Sequence, residues 1–171
     1  MSTPGQTVGP FFGYALPYEG GPELVPRSHP DATRLHGTVL DGAGAPVPDA
    51  LLEIWQTDGA GEVPRAAGSL RRDGYTFTGW GRAATDNAGR YSFTTVEPGA
   101  PFIALTVFAR GLTNRLFTRI YLPDATDAFL DSLPADRRDT LVSTRDPDGL
   151  RFDVVLQGER ETVFLAYPGQ S

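Results

Sequence analysis

The chain has 171 residues, 40% of them hydrophobic, and a formal net charge of −6 with a pI near 4.8. That length fits one domain able to bury its own core, and the acidic balance repels phosphate backbones and anionic headgroups, so neither nucleic acid nor membrane is expected as a partner. The absence of cysteine removes disulfides, thiolate nucleophiles and cysteine-ligated metals together, and fits a cytoplasmic protein.

Residues 1–33 carry Pro4, Pro10, Pro17, Pro22, Pro26 and Pro30, a density that forbids a long helix and discourages central strands. They predict an extended N-terminal arm ahead of a domain over residues 34–171, with no basic and apolar stretch of the signal-peptide kind at the start. Phe11, Phe12, Tyr14 and Tyr18 give this arm more aromatic surface than a solvated tail carries, so it is expected to lie against its own domain or a neighbouring chain.

From Arg34 short strands alternate with turn signals. Leu35–Leu40 and Leu51–Gln56 flank Asp41-Gly-Ala-Gly-Ala-Pro46, which predicts a hairpin. Gly81–Thr85 and Arg90–Val96 flank Asp86-Asn-Ala-Gly89, which predicts a second, with Tyr91, Phe93 and Thr95 on one face and Ser92 and Thr94 on the other. Phe102–Ala109 and Leu116–Leu122, joined through Gly111-Leu-Thr-Asn114, predict a third. Asp127–Asp139 has helical spacing for one or two turns, interrupted by Pro134, and strands are expected near Leu150–Leu156 and Thr162–Ala166. Seven to nine strands with almost no helix predict an all-β chain, a two-sheet antiparallel β-sandwich, with Trp55, Tyr91 and Phe93 in its core.

Little of this supports chemistry. A cysteine-free metal site needs histidine with carboxylate or phenolate ligands, and only His29 and His36 exist, neither with a paired carboxylate spacing; both read as surface or strand-edge side chains. Gly68-Ser69-Leu70 lacks the small-residue turn of a nucleophile elbow, and Gly79-Trp-Gly81 and Gly42-Ala-Gly44 run into strands in a chain without lysine, so neither a hydrolase nor a phosphate loop is indicated. The acid pairs Asp136 and Asp139, and Asp146 and Asp148, read as solvated turn residues.

Leu51-Leu-Glu-Ile-Trp-Gln56, Gly81-Arg-Ala-Ala-Thr-Asp86 and Gly89-Arg-Tyr-Ser-Phe-Thr-Thr-Val-Glu-Pro-Gly99 resemble, in order and spacing, the intradiol ring-cleavage dioxygenases. Thr3-Pro-Gly-Gln-Thr-Val-Gly-Pro-Phe-Phe12, with Phe108-Ala-Arg-Gly-Leu112 and Thr118-Arg-Ile-Tyr121, narrows the resemblance to the alpha chains of the family's protocatechuate-cleaving members. In that family two tyrosines and two histidines hold ferric iron. The resemblance puts Phe102 and Ala104 at the His-x-His positions and Val63, in Ala60-Gly-Glu-Val63, at the first tyrosine; the segment for the second tyrosine is missing between Gly99 and Phe102.

The resemblance therefore implies a chain without iron of its own, paired with a beta chain that holds it, in an enzyme that opens protocatechuate with dioxygen between the two hydroxylated carbons to 3-carboxy-cis,cis-muconate. It further implies that Thr7, Gly9 and Pro10 stand beside the partner's substrate pocket, and that Arg119 holds the substrate carboxylate or orders the interface, an ordinary salt-bridged strand arginine being the plain alternative. A non-catalytic transthyretin-like binding module shares the pattern around Val47–Ile54 and Thr85–Phe93, though it has no need of the arm or of Thr118–Tyr121. A free-standing catechol dioxygenase would need the four ligands itself.

Overall fold

Residues 15–66 and 72–167 are described by a computed structural model. Its strands are built on period two. In β1 (Thr33–Leu40) Leu35, Gly37 and Val39 point inward; in β4 (Arg90–Thr95) Tyr91, Phe93 and Thr95 do so, as their alternation predicts. These strands pair antiparallel and share one sheet with β7 (Thr144–Asp146) and β8 (Gly149–Arg151), in the order β4-β1-β8-β7, while β9 (Val154–Val155) pairs with the far end of β1. The second sheet has the order β3-β2-β5-β6, from β2 (Leu51–Trp55), β3 (Trp80–Ala84), β5 (Phe102–Phe108) and β6 (Leu116–Tyr121). The inner faces meet through Leu35, Phe93 and Leu150 on one side and Ile54, Ile103 and Leu105 on the other. This is the expected all-β two-sheet sandwich.

Its wiring differs from the sequence expectation in two places. β1 and β2 do not form a hairpin: after a tight reversal in which Asp41 accepts the Ala43 and Ala45 N–H groups, the chain crosses to the other sheet. Likewise the Asp86–Gly89 turn joins β3 of one sheet to β4 of the other. The third hairpin is real, β5 and β6 pairing from Phe102↔Tyr121 to Val107↔Leu116. Residues 162–166 form no strand, although Thr162 and Leu165 donate to the Val155 and Phe117 carbonyls. The helical excursion is two short turns, α1 (Ala128–Ser132) and α2 (Ala135–Arg138), split by Pro134, and Asp127 caps the first by accepting from Leu130 N–H.

Trp55 corrects the predicted core. Ile54 points inward, so its neighbour must point outward, and the indole is 50% exposed on the outer face of the second sheet. Gly81, inward on β3 and opposite Ile54, leaves room for the Leu24 side chain, which joins the core from the N-terminal segment.

β1 also runs parallel to β8 and β9, pairing His36 with Arg151 and Val39 with Val154. Between those pairs the Phe152 carbonyl turns inward and accepts a 2.6 Å hydrogen bond from the Tyr91 hydroxyl, while the Asp153 carboxylate receives the Thr38 N–H at 2.9 Å. Burial raises the Tyr91 hydroxyl's pKa above its usual value, so it stays a donor. Tyr91→Phe is expected to lower stability by about 1–2 kcal/mol, because it strands a buried carbonyl; a chemical denaturation curve shifted by less than a few tenths would mean water replaces the hydroxyl.

Candidate functional site

The outer face of the second sheet gathers the positions singled out by sequence. Cross-strand register places Trp80, Trp55, Ala104 and Arg119 in one row across β3, β2, β5 and β6, with Phe102 and Tyr121 paired beside it. Phe102, Ala104 and Arg119 are thus brought together. Val63, 48% exposed, belongs to the loop that follows Trp55, and Thr7, Gly9 and Pro10 lie outside the described residues.

The face is covered at both ends. Over β6, Leu130 of α1 and Leu141 pack on the fully buried Tyr121 together with Phe102 and Phe129. Over β3, the segment from Leu16 to Gly21 lies against the strand, Tyr18 stacking on Trp80 with ring centroids 6.0 Å apart and planes 4° from parallel. Trp55 lies in the row between them and is left open.

Arg119 is a fixed charge at the β6 end of this face. Its Nη1 donates to the Tyr121 hydroxyl at 2.9 Å and to Asp127 Oδ2 at 3.0 Å, and its guanidinium carbon stands 4.2 Å from the Phe102 ring centroid and 5.0 Å from that of Phe129. The Tyr121 hydroxyl donates in turn to both Asp127 oxygens, at 2.9 and 3.0 Å. Partial burial pushes the Asp127 carboxyl's pKa up, but the Leu130 N–H, the Tyr121 hydroxyl and the Arg119 charge outweigh it and hold the carboxyl below its usual range. Burial, followed by the opposing effects of Arg119 and Asp127, leaves Tyr121 above the usual phenol value. The arrangement is an ion pair inside an aromatic cage, able to hold the face rigid.

These side chains do not fit a ferric ion. A phenyl ring, a methyl and an isopropyl group have no lone pair for a hard cation, and the Phe102 ring is already occupied by a guanidinium. Among the described residues no three His, Asp or Glu side chains gather where a metal could be held. His36 instead sits on the outer face of the other sheet, its Nε2 3.2 Å from Asp146, while His29 Nδ1 accepts from Asp31 N–H; Asp148 stands 3.8 Å from Arg34, so these acids serve turns and strand edges.

Two features escaped the sequence reading. Asp127 as the partner of Arg119 was signalled only by its place ahead of a helical run, the usual position of an N-cap. Glu53, which binds Arg82 at 2.5 Å on the same face, carried the signal of a charge at an outward strand position between apolar neighbours.

The sequence profile of the family described as Dioxygenase matches residues 8–104. The chain is 40% identical to the protocatechuate 3,4-dioxygenase alpha chain of Burkholderia cepacia, over 95% of this chain and 96% of that one. It is 34% identical to the protocatechuate 3,4-dioxygenase beta chain of Burkholderia cepacia, over 74% of this chain and 64% of the relative. Among solved structures, the dioxygenase domain of a dioxygenase and carbohydrate-binding fusion from Streptomyces sp. SirexAA-E is similar with a TM-score of 0.60 at 26% identity, covering 92% of this chain and 99% of that domain.

Proposed function

Since this chain belongs to the intradiol ring-cleavage dioxygenase family, we propose that it is the alpha subunit of a protocatechuate 3,4-dioxygenase, with the non-haem iron held by a partner beta chain. The observation that carries this reading is the identity to an alpha chain over nearly the full length of both; the donor-free Phe102, Ala104 and Val63, which the family resemblance sets at ligand positions, are in keeping with it. The same identity leaves the non-catalytic transthyretin-like module without support.

Ring opening of protocatechuate by dioxygen is then the chemistry supplied by the iron on the partner. This chain's share is to wall and orient: Thr7, Gly9 and Pro10 would lie beside the partner's substrate pocket, Gly9 allowing close backbone approach and Pro10 fixing direction. Among the described residues no helix is long and apolar enough to cross a membrane, and a cytoplasmic assembly is the setting we propose. The deciding experiment is co-production with a beta chain: a stable alpha–beta complex that consumes dioxygen with protocatechuate is expected, and a complex that fails to form or an active beta chain indifferent to this subunit would reject the assignment.

For Arg119 we propose the ordering role over direct contact with the substrate carboxylate, because its Nη1 already serves Asp127 and Tyr121 and its guanidinium lies over the rings of both Phe102 and Phe129. Arg119→Ala is expected to lower turnover of protocatechuate and of catechol by the same factor, about tenfold, with iron per assembled enzyme unchanged. A loss confined to protocatechuate, the only one of the two with a carboxylate, would show substrate contact instead, and full activity on both would reduce Arg119 to a residue of the fold.

A further inference from the structure

The first sheet turns to solvent a polar face that the function proposed above leaves without a task. On its outer side β1 carries Arg34 and His36, and β4 carries Thr94 and Ser92, set opposite them by the register Arg34↔Thr94 and His36↔Ser92. Ahead of β1 the chain makes two successive turns, His29 N–H donating to the Pro26 carbonyl at 2.9 Å and Ala32 N–H to the His29 carbonyl at 3.0 Å. These turns bring Arg27 beside the start of β1. The result is an open cleft of about 530 Å³ lined by Arg27, Thr33, Arg34, Ser92, Thr94 and Asp148, within the size range of small-molecule sites.

The cleft holds hydrogen-bonding capacity that the chain itself does not use. Arg27 makes no ion pair or hydrogen bond among the described residues. Arg34 has one ionic contact, 3.8 Å to Asp148, between side chains 50% and 69% exposed; it is too long for a hydrogen bond and worth little in water. The neighbouring cations of the same face are spent, Arg151 on Asp153 at 2.9 Å and His36 on Asp146 at 3.2 Å. The main chain adds a further donor. Thr94 turns its N–H and carbonyl away from β1, to Pro22 and Leu24, and alternation along the strand turns those of Ser92 the same way, where β4 is the edge of the sheet and no described residue receives them.

Two guanidinium groups, two hydroxyls and an edge N–H around one hollow suit an oxyanion: the planar forks pair with its oxygens and the neutral donors take the remaining lone pairs. We propose that this cleft is a binding site for a small oxyanion, a carboxylate or a phosphate, held by Arg27 and Arg34 and seated by Ser92 and Thr94. Asp148 competes with that ligand for Arg34, so its charge weakens binding. The inference goes beyond the reading of this chain as an alpha subunit and does not depend on the reaction that the partner carries out.

The test is modification of the assembled alpha–beta enzyme with the arginine reagent phenylglyoxal, followed residue by residue through peptide mass spectrometry. Succinate or inorganic phosphate is titrated against chloride at constant ionic strength. Arg27 and Arg34 are expected to be protected with one shared midpoint in the millimolar range, while Arg90, exposed on β4 outside the cleft, keeps its rate. The probe that protects at the lower concentration identifies the acid group the site takes. Arg27→Ala should raise the midpoint read at Arg34 about tenfold, the loss of one charge-assisted contact, and Arg34→Ala should do the same at Arg27. Asp148→Asn should lower the midpoint about twofold, the release of an exposed ion pair. No protection by either probe, an equal slowing at Arg90, or a midpoint unmoved by Arg27→Ala or raised by Asp148→Asn would overturn the site. So would an assembled enzyme in which both arginines are shielded before any anion is added, or an Arg27→Ala chain that folds and no longer assembles, because the cleft would then be a contact with another chain.

Discussion

Produced without a partner, this chain is expected to be colourless, to retain no stoichiometric iron after dialysis and to consume no dioxygen with protocatechuate; the activity should appear in full only when a beta chain is co-produced. The expectation follows from donors and from charge. Phe102, Ala104 and Val63 offer no lone pair, and Arg119 keeps a permanent positive charge 4.2 Å from the Phe102 ring. A trivalent ion brought within about 5 Å of that guanidinium would meet repulsion on the order of 10 kcal/mol at an effective dielectric near 20. The Asp127 carboxylate offsets part of that repulsion, but its oxygens are committed to Arg119, Tyr121 and the Leu130 N–H and are not free to serve as ligands. Metal analysis and the visible spectrum of the lone chain settle the matter together: one tightly bound ferric ion per chain, with tyrosinate-type absorption, would overturn the subunit assignment itself. The lone chain should also be poorly soluble, because the open stretch of the outer face around Trp55 is left to water.

The strands were legible because burial on one face imposes period two, and Tyr91, Phe93 and Thr95 obey it in sequence and in space. Partnership was not. Asp41–Pro46 and Asp86–Gly89 carry the turn chemistry of a hairpin, but such a turn only reverses the chain; whether the next strand pairs with the last or crosses to the opposite sheet depends on residues far away, such as Val154 beside Val39. The outward position of Trp55 was legible too, since adjacency to the inward Ile54 already places it outside and only its size argued otherwise. Of the site, the gathering of Phe102, Ala104 and Arg119 followed from family matching onto two paired strands. The Arg119–Asp127 pair and the Arg82–Leu16 hydrogen bond did not, because each joins a strand to a segment whose path no local pattern encodes.

The largest loss of stability is expected from Gly37→Ala, about 3 kcal/mol or more, although the change adds a single methyl group. Gly37 lies on β1 in a buried, inward position, opposite Tyr91. A Cβ there would fall 1.8 Å from the Phe152 carbonyl oxygen and 3.2 Å from the Tyr91 hydroxyl. The nearer obstacle is backbone, so no side-chain rotation can clear it. Either β1 or the turn between β8 and β9 must move, and with it go the 2.6 Å Tyr91 bond, the Thr38–Asp153 bond and the parallel pairing on both sides. Gly44→Ala supplies the control that separates space from conformation: Gly44 has φ +79° and no atom within 4 Å of the place a Cβ would take, so alanine there costs only backbone strain, about 1 kcal/mol. In thermal unfolding of the assembled enzyme, Gly37→Ala should lower the midpoint by on the order of 10 °C and Gly44→Ala by a third of that or less. Equal shifts would mean that the Phe152 carbonyl yields easily, and that the crossing of β8 and β9 over β1 is not the rigid joint its hydrogen bonds describe.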